Sequence, residues 1–188
     1  MGWVTLRRSA PLLLSLAAVG CGAEQAADTP ARAASCTATS AETEGPYYKS
    51  GPPKRKTFVN KHTKGRRLIV SGRVRDTSCH AVAGARVDFW QADAAGSYNN
   101  NGYRFRGYQL TDSKGRYRLS TVVPGEYPGR TRHIHVKVTP PGGAVLTTQL
   151  YLPGVSRNGS DPIFQKTNVV RLNRSHRTWR ARFNFVTG

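Results

Sequence analysis

From residue 66 onward the chain alternates apolar and polar positions with a period of two. In Leu68-Ile69-Val70-Ser71-Gly72-Arg73-Val74-Arg75, positions 68, 70, 72 and 74 share one face, and Arg73 and Arg75 take the other. The same alternation marks Arg86-Val87-Asp88-Phe89, Tyr117-Arg118-Leu119, His133-Ile134-His135-Val136-Lys137-Val138 and Arg182-Phe183-Asn184-Phe185. Turn-forming residues separate these runs: Gly84, Asn99-Asn100-Asn101-Gly102, Asp112-Ser113-Lys114-Gly115, Pro124-Gly125 and Pro140-Pro141-Gly142-Gly143. No long segment carries a helical stripe. The pattern predicts an all-β fold, an antiparallel β-sandwich over about residues 66–186, with residues 36–65 laid across it as an irregular N-terminal arm.

The first residues read differently. Arg7 and Arg8 precede the uncharged run Ala10–Val19, which fits an export signal over 1–20 and is too short to span a bilayer. Its end, Ala18-Val19-Gly20-Cys21, resembles the site at which a bacterial lipoprotein is cleaved and its cysteine acylated. The expectation is therefore an exported lipoprotein of the cell envelope anchored through Cys21, with secretion or periplasmic release as the alternative. Residues 21–35 read as a flexible tether, and the folded domain is expected to span 36–188. With Cys21 lipidated, Cys36 and Cys79 are the other thiols in an oxidising compartment and form the expected disulfide.

Composition adds a constraint and withdraws another. The 188 residues carry 29 Lys+Arg against 10 Asp+Glu, a net charge of +19, while 38% hydrophobic content excludes a disordered polycation. Loss of residues 1–20 removes Arg7 and Arg8 and no acid, leaving +17. Charge of that size suits a polyanion, but export argues against nucleic acid as partner. The basic run Lys54-Arg55-Lys56, Lys61, Lys64 and Arg66-Arg67 is most simply a solvated face, with acidic small molecules, anionic lipid and polysaccharide as candidate ligands.

The layout Gly72-Arg73-Val74-Arg75-Asp76, Gly84-Ala85-Arg86-Val87, Thr111-Asp112-Ser113-Lys114-Gly115-Arg116-Tyr117 and Pro124-Gly125-Glu126-Tyr127 is that of many immunoglobulin- or transthyretin-like modules. Those modules carry no chemistry, so a non-catalytic binding module of the cell envelope is the alternative reading. His133 and His135 oppose it. One residue apart in an alternating strand, they project from one face, where a metal can take both. Tyr127 lies on the loop before them and Tyr98 follows Gly96-Ser97. Two phenols and two imidazoles suit ferric iron, because phenolate is a hard anionic donor.

Four further motifs make the comparison specific: Thr43-Glu44-Gly45-Pro46-Tyr47-Tyr48, the run Val87–Tyr98, the run Phe105–Asp112, and Pro124–Pro128 followed by Arg130-Thr131-Arg132-His133-Ile134-His135. Over about 43–164 the chain resembles the intradiol ring-cleavage dioxygenases, catechol 1,2-dioxygenases and protocatechuate 3,4-dioxygenases among them. Its short secreted members look most similar, through cysteines near Cys36 and Cys79 and a stretch like Thr147–Gly154.

The resemblance implies one Fe(III) per chain held by Tyr98, Tyr127, His133 and His135, with Tyr98 and His133 equatorial and Tyr127 and His135 axial. It implies that Tyr127, leaving the iron as phenolate, accepts a substrate proton, and that Arg130 stabilises developing negative charge. Gln149 lies beside the substrate and Gly45-Pro46 closes one side of the pocket. The implied substrates are a small catechol-type diol and O2, giving a cis,cis-muconate-type product. Tyr103, Tyr108 and Tyr117 are then core or rim residues, Trp90 and Trp179 are core, and His62, His80 and His176 are exposed. No helical dimerisation segment is recognisable, so the oligomeric state stays open.

Overall fold

The apolar positions of the alternating runs meet in one core. The computed structural model describes residues 1–3 and 34–188, so nearly all of the expected signal and of the tether, and Cys21, lie outside the described residues. Nine strands follow: β1 (Arg67–Asp76), β2 (Arg86–Trp90), β3 (Arg106–Leu110), β4 (Arg116–Val122), β5 (His133–Thr139), β6 (Leu146–Tyr151), β7 (Arg171–Asn173), β8 (Thr178–Arg182) and β9 (Phe185–Thr187). One sheet has the order β4-β1-β8-β7, with β9 also on β1, and the other β3-β2-β5-β6. Between them lie Leu68, Val70 and Val74 of β1, Leu119 of β4, Val87 and Phe89 of β2, and Ile134, Val136 and Val138 of β5. Period-two alternation sends the intervening side chains to the two outer faces.

Most pairings are antiparallel, as the pattern predicts, but β1 runs parallel to both β8 and β9. The alternating run Arg182–Phe185 is therefore not one strand; it straddles a break between two. At the break the Phe183 N–H donates to the Ser71 carbonyl (3.1 Å), and the Asn184 Oδ1 accepts from the Arg73 N–H (3.0 Å). Gly72 permits this approach, since a Cβ there would stand 1.6 Å from the Phe183 carbonyl oxygen.

Residues 36–65 form isolated bridges and no strand. The arm begins at the Cys36–Cys79 disulfide, with 5.2 Å between the two Cα atoms. Its Glu42 N–H donates to Thr147 of β6 (2.8 Å). Further on, Arg55 and Pro53 exchange backbone bonds with Tyr108 of β3, and Lys56 and Phe58 do so with Ser120 of β4. The arm thus covers edges of both sheets, which would otherwise present unpaired backbone groups.

Candidate metal centre

The candidate site lies on the outer face of the sheet β3-β2-β5-β6, roofed by the arm. Because Ile134 and Val136 point into the core, His133 and His135 point out of it, and both are buried all the same. Cross-strand register puts Arg106, Trp90, His135 and Gln149 in one row across the four strands, with His133 opposite Tyr151 in the next.

The two imidazole Nε2 atoms are 3.1 Å apart, and the Tyr127 hydroxyl is 3.4 Å from the Nε2 of His133. Ligands on adjacent positions of one ion, with bonds of about 2.1 Å, have that spacing. The Nδ1 of His133 lies 2.6 Å from the Thr131 carbonyl. A proton on Nδ1 satisfies that carbonyl and leaves a lone pair on Nε2, the tautomer that coordinates metal. His135 is held by stacking instead: its ring is parallel to Trp90, centroids 4.9 Å apart and planes 6° off.

Tyr98 and Tyr127 arrive on two loops that touch backbone to backbone. A Cβ on Gly125 would stand 2.2 Å from the Gly96 nitrogen, and one on Gly96 would stand 2.0 Å from the Glu126 oxygen. Ring centroids of the two tyrosines are 5.8 Å apart. Tyr47 from the arm stacks on Tyr98 at 4.2 Å and meets Tyr127 edge-on at 6.0 Å. Buried Arg106 donates to the carbonyls of Asn99 and Tyr47 (Nη2, 3.0 Å) and sets its guanidinium 5.7 Å from the Tyr98 ring centre. The Tyr98 hydroxyl is buried and has no hydrogen-bond partner.

Burial disfavours the charged form of the same four residues. Burial, reinforced by Arg130, lowers the pKa of His133 to about 4, and burial with His133 beside it lowers His135 well below its usual value. Burial raises Tyr98, with Tyr127 adding to it, and burial also raises Tyr127 against the pull of Arg130. Without a cation all four groups are neutral. A hard cation would supply the charge that turns buried phenols into phenolates, and it would give the unpartnered Tyr98 oxygen something to bind. No cluster of three or more His, Cys, Asp or Glu suited to a metal occurs among the described residues, so a ligand set here has to include tyrosine. The donor set fits Fe(III).

Arg130 is aimed at this centre from one side. Its Nε donates to both oxygens of Asp161 (3.2 and 3.0 Å), its Nη1 lies 3.3 Å from the Tyr127 hydroxyl, and its Nη2 donates to Gln149 Oε1 at 2.5 Å. Gln149 Nε2 in turn donates to the Thr43 carbonyl of the arm (3.2 Å). Gly45, in left-handed conformation (φ 71°), brings the arm over His135, where a Cβ would touch Cε1 at 3.3 Å. Pro46 follows at the exposed surface.

A family model described as "Dioxygenase" matches residues 43–181. The chain belongs to the intradiol dioxygenase family. It is 37% identical over 121 residues to a protocatechuate 3,4-dioxygenase beta chain of Burkholderia cepacia, covering 55% of this chain and 52% of that one. A catechol 1,2-dioxygenase of Pseudomonas sp. (strain EST1001) is 30% identical over 138 residues, covering 59% and 46%. The chain spans about half the length of the curated relatives it matches. Among solved structures, the dioxygenase domain of a dioxygenase carbohydrate-binding protein fusion from the cellulolytic bacterium Streptomyces sp. SirexAA-E is 45% identical, with a TM-score of 0.78, covering 80% of this chain and 97% of that one.

Within this family member, all the site residues named from the sequence gather at one place: Tyr98, Tyr127, His133 and His135 with Arg130, Gln149 and the Gly45-Pro46 arm. Tyr103, Tyr108 and Tyr117 stay away from it. Tyr117 is in the core, Tyr108 carries Arg86 on its ring at 3.6 Å, and Tyr103 donates to the Ser50 carbonyl at 2.8 Å. His62, His80 and His176 are exposed. Trp179 is half-buried under Arg174, and Trp90 is buried but also plates His135. Sequence reasoning missed Asp161, Tyr47 and Arg106. The last two sit inside quoted motifs, whereas Asp161 lies in an aperiodic loop with nothing to single it out.

Proposed function

We propose that this chain is an Fe(III)-dependent intradiol dioxygenase that cleaves a catechol-type diol between its two hydroxylated carbons, consuming O2 and giving a cis,cis-muconate-type diacid. The observation that carries the reading is the convergence of two neutral imidazole nitrogens and the Tyr127 hydroxyl beside a buried, unpartnered Tyr98 hydroxyl. Tyr98, Tyr127, His133 and His135 would hold one ion per chain. When bound, the ferric ion supplies a Lewis acid that chelates both catechol oxygens and makes the ring reactive towards O2.

The remaining steps fall to the chain. The Tyr127 oxygen, beside the Arg130 guanidinium, would accept a proton as substrate binds. Arg130, fixed by Asp161 and Gln149, holds a permanent positive charge 3.3 Å from that oxygen, so negative charge on Tyr127 or on substrate beside it meets a preorganised partner. Such a donor contributes about 2–4 kcal/mol to the transition state. His133, fixed by the Thr131 carbonyl, and His135, fixed by Trp90, need no reorientation. Tyr47 and the Gly45-Pro46 arm keep bulk water from one side. Gln149 ties that arm to Arg130, so roof and cation are positioned together.

The location is part of the proposal. A disulfide supports an oxidising compartment, and the export signal and Cys21 anchor add an envelope lipoprotein. Extracellular catechols, such as lignin-derived ones, are then the substrates to expect. The test is oxygen uptake by iron-loaded protein with catechol, protocatechuate, hydroxyquinol and chlorinated catechols, beside the visible spectrum. Turnover of at least one diol with a tyrosinate-to-iron band is expected. A colourless protein after iron loading would sink the enzyme, and a coloured protein inert to the whole panel would leave a binding role in its place.

A further inference from the structure

The second sheet has an outer face that the arm leaves open, and it is arginine. The face comprises the odd-numbered positions of β1 and β7 and the even-numbered positions of β4 and β8. Register lines up Arg118, Ser71, Arg182 and Arg171 in one row across β4, β1, β8 and β7, and sets Arg73 opposite Arg116 in the next. A groove of about 860 Å3 runs along it, floored where the break at Phe183 and Asn184 parts β8 from β9. Arg73, Arg116, Arg118, Arg171 and Arg182 are all exposed. One acid lines the groove, Asp112, and it is paired with Arg116 at 2.6 Å; the other four have no acidic partner among the described residues.

Like charges set directly opposite each other on a sheet destabilise it, and here the arrangement recurs at Arg73–Arg116 and at Arg182–Arg171. The fold gives no internal reason to bear that cost. A polyanion laid across the strands would remove it, meeting the row Arg118, Arg182 and Arg171 within about 14 Å at ordinary strand spacing. Guanidinium groups take carboxylate and sulfate bidentately, which lysines do not.

We propose that this groove is a docking surface for a linear acidic polysaccharide, bearing uronate or sulfate groups, which would hold the protein at a polymer while its other face works on small diols. Three observations favour a polysaccharide over other polyanions. No exposed aromatic side chain stands in the groove to stack a base: Tyr117 is buried and Phe183 half-buried. No large apolar side chain is exposed there to enter a bilayer; those exposed among the described residues are Met1, Trp3, Leu110 and Val145. The Cys36–Cys79 disulfide belongs to compartments outside the cytosol, where acidic glycans are common polymers. The proposal does not depend on the ring-cleavage reading, because groove and candidate metal centre lie on different sheets.

The experiment measures binding of the full chain to polygalacturonate and to dextran sulfate, with neutral dextran, duplex DNA and phosphatidylglycerol vesicles alongside. Both acidic glycans are expected to bind, and their relative affinities tell carboxylate from sulfate as the preferred group. The triple variant Arg118→Ser, Arg171→Ser, Arg182→Ser should lose about tenfold or more in affinity at 0.1 M salt, where unfocused surface charge is largely screened. A charge-matched control, Lys61→Ser, Lys64→Ser, Arg177→Ser, should keep its affinity, and oxygen uptake should be unchanged in both. Equal loss in the two variants, or none in the groove variant, overturns the proposal. So does tighter binding of DNA or vesicles that the groove variant abolishes. If the triple variant fails to fold by circular dichroism, Arg171→Ser on the edge strand should still weaken glycan binding, and unchanged binding there overturns it too.

Discussion

His133 owes the lone pair on its Nε2 to a backbone carbonyl, and Arg130 owes its aim to a carboxylate, so neighbours decide what the site residues do. Tyr127→Phe removes the oxygen proposed to accept a proton while leaving the ring packed against Tyr47, and His135→Ala removes a proposed ligand from beside the Trp90 plate. Each should lower turnover by about 100-fold or more and alter the visible band, as loss of groups that act in the transition state does; unaffected turnover in either would refute the ligand set. Asp161 tests the neighbour. Burial alone would raise its pKa, but the N–H groups of Thr131 and Ile163 and the Arg130 guanidinium together hold it below the usual value. A depressed carboxyl stabilises the fold above the unfolded pKa and loses that contribution as pH falls through the folded one. Asp161→Asn should therefore cost about 3 kcal/mol at pH 7, as for a broken buried pair, with the gap narrowing in acid. Thermal melts of both proteins from pH 7 down to 3 check this; a gap that does not narrow means the carboxylate charge is not the source. The histidine pair was readable because period two fixes which side chains share a face. Asp161 was not, since an aperiodic loop carries no such rule.

Strands and loops position what residues supply. The row Arg106–Trp90–His135–Gln149 follows from register across four strands, and only the pairing in space reveals that a tryptophan of β2 and a glutamine of β6 flank the same histidine. Trp90 was expected in the core, whereas alternation with the inward Val87 and Phe89 sets it on the outer face beside His135. The parallel pairings of β1 escaped for a related reason: they join positions about a hundred residues apart, and the close approach at Gly72 that permits them is announced by no local pattern. Close approach also brings the two tyrosine loops together. In Gly125→Ala the new methyl would overlap Gly96, Ala95 and Ala94 backbone atoms, which cannot swing aside as a flexible side chain would. A loss of about 3 kcal/mol is expected, the upper part of the overpacking range, together with reduced iron content after loading. Gly129→Ala is the control, because φ 77° strains it while nothing lies within 4 Å of the new atom. It should cost about 1–2 kcal/mol and leave iron content intact. Equal iron content in the two variants would show that loop contact does not set the tyrosine pair.

The two sheets divide the labour of the molecule: one outer face is roofed by the arm and gathers the candidate ligands, while the other is open and basic. What makes the roof is a segment without regular structure, tied down at its ends and, through Glu42, Thr43 and Tyr47, along its middle. Cys36 ties its start to the turn after β1, and backbone bonds to Tyr108 and Ser120 fasten its far end to β3 and β4. Between those anchors it delivers Gly45 to His135 and Tyr47 to Tyr98. The arm was foreseeable as an absence of alternation in 36–65, but its path was not, because the contacts that fasten it to the sheets are with residues distant in sequence. The disulfide closes a loop with a sequence separation of 43, which on a chain-entropy basis stabilises the folded state by about 4 kcal/mol. The double variant Cys36→Ser, Cys79→Ser should lose most of that in denaturant titration. It should also lose turnover beyond what stability explains, measured well below its melting temperature, because the N-terminal half of the roof is freed while β5 and its histidines stay packed. If the roof were ordered by its far end alone, the variant would melt earlier yet turn over at the original rate, and the arm would then be a cover for the sheet edges and no part of the active centre.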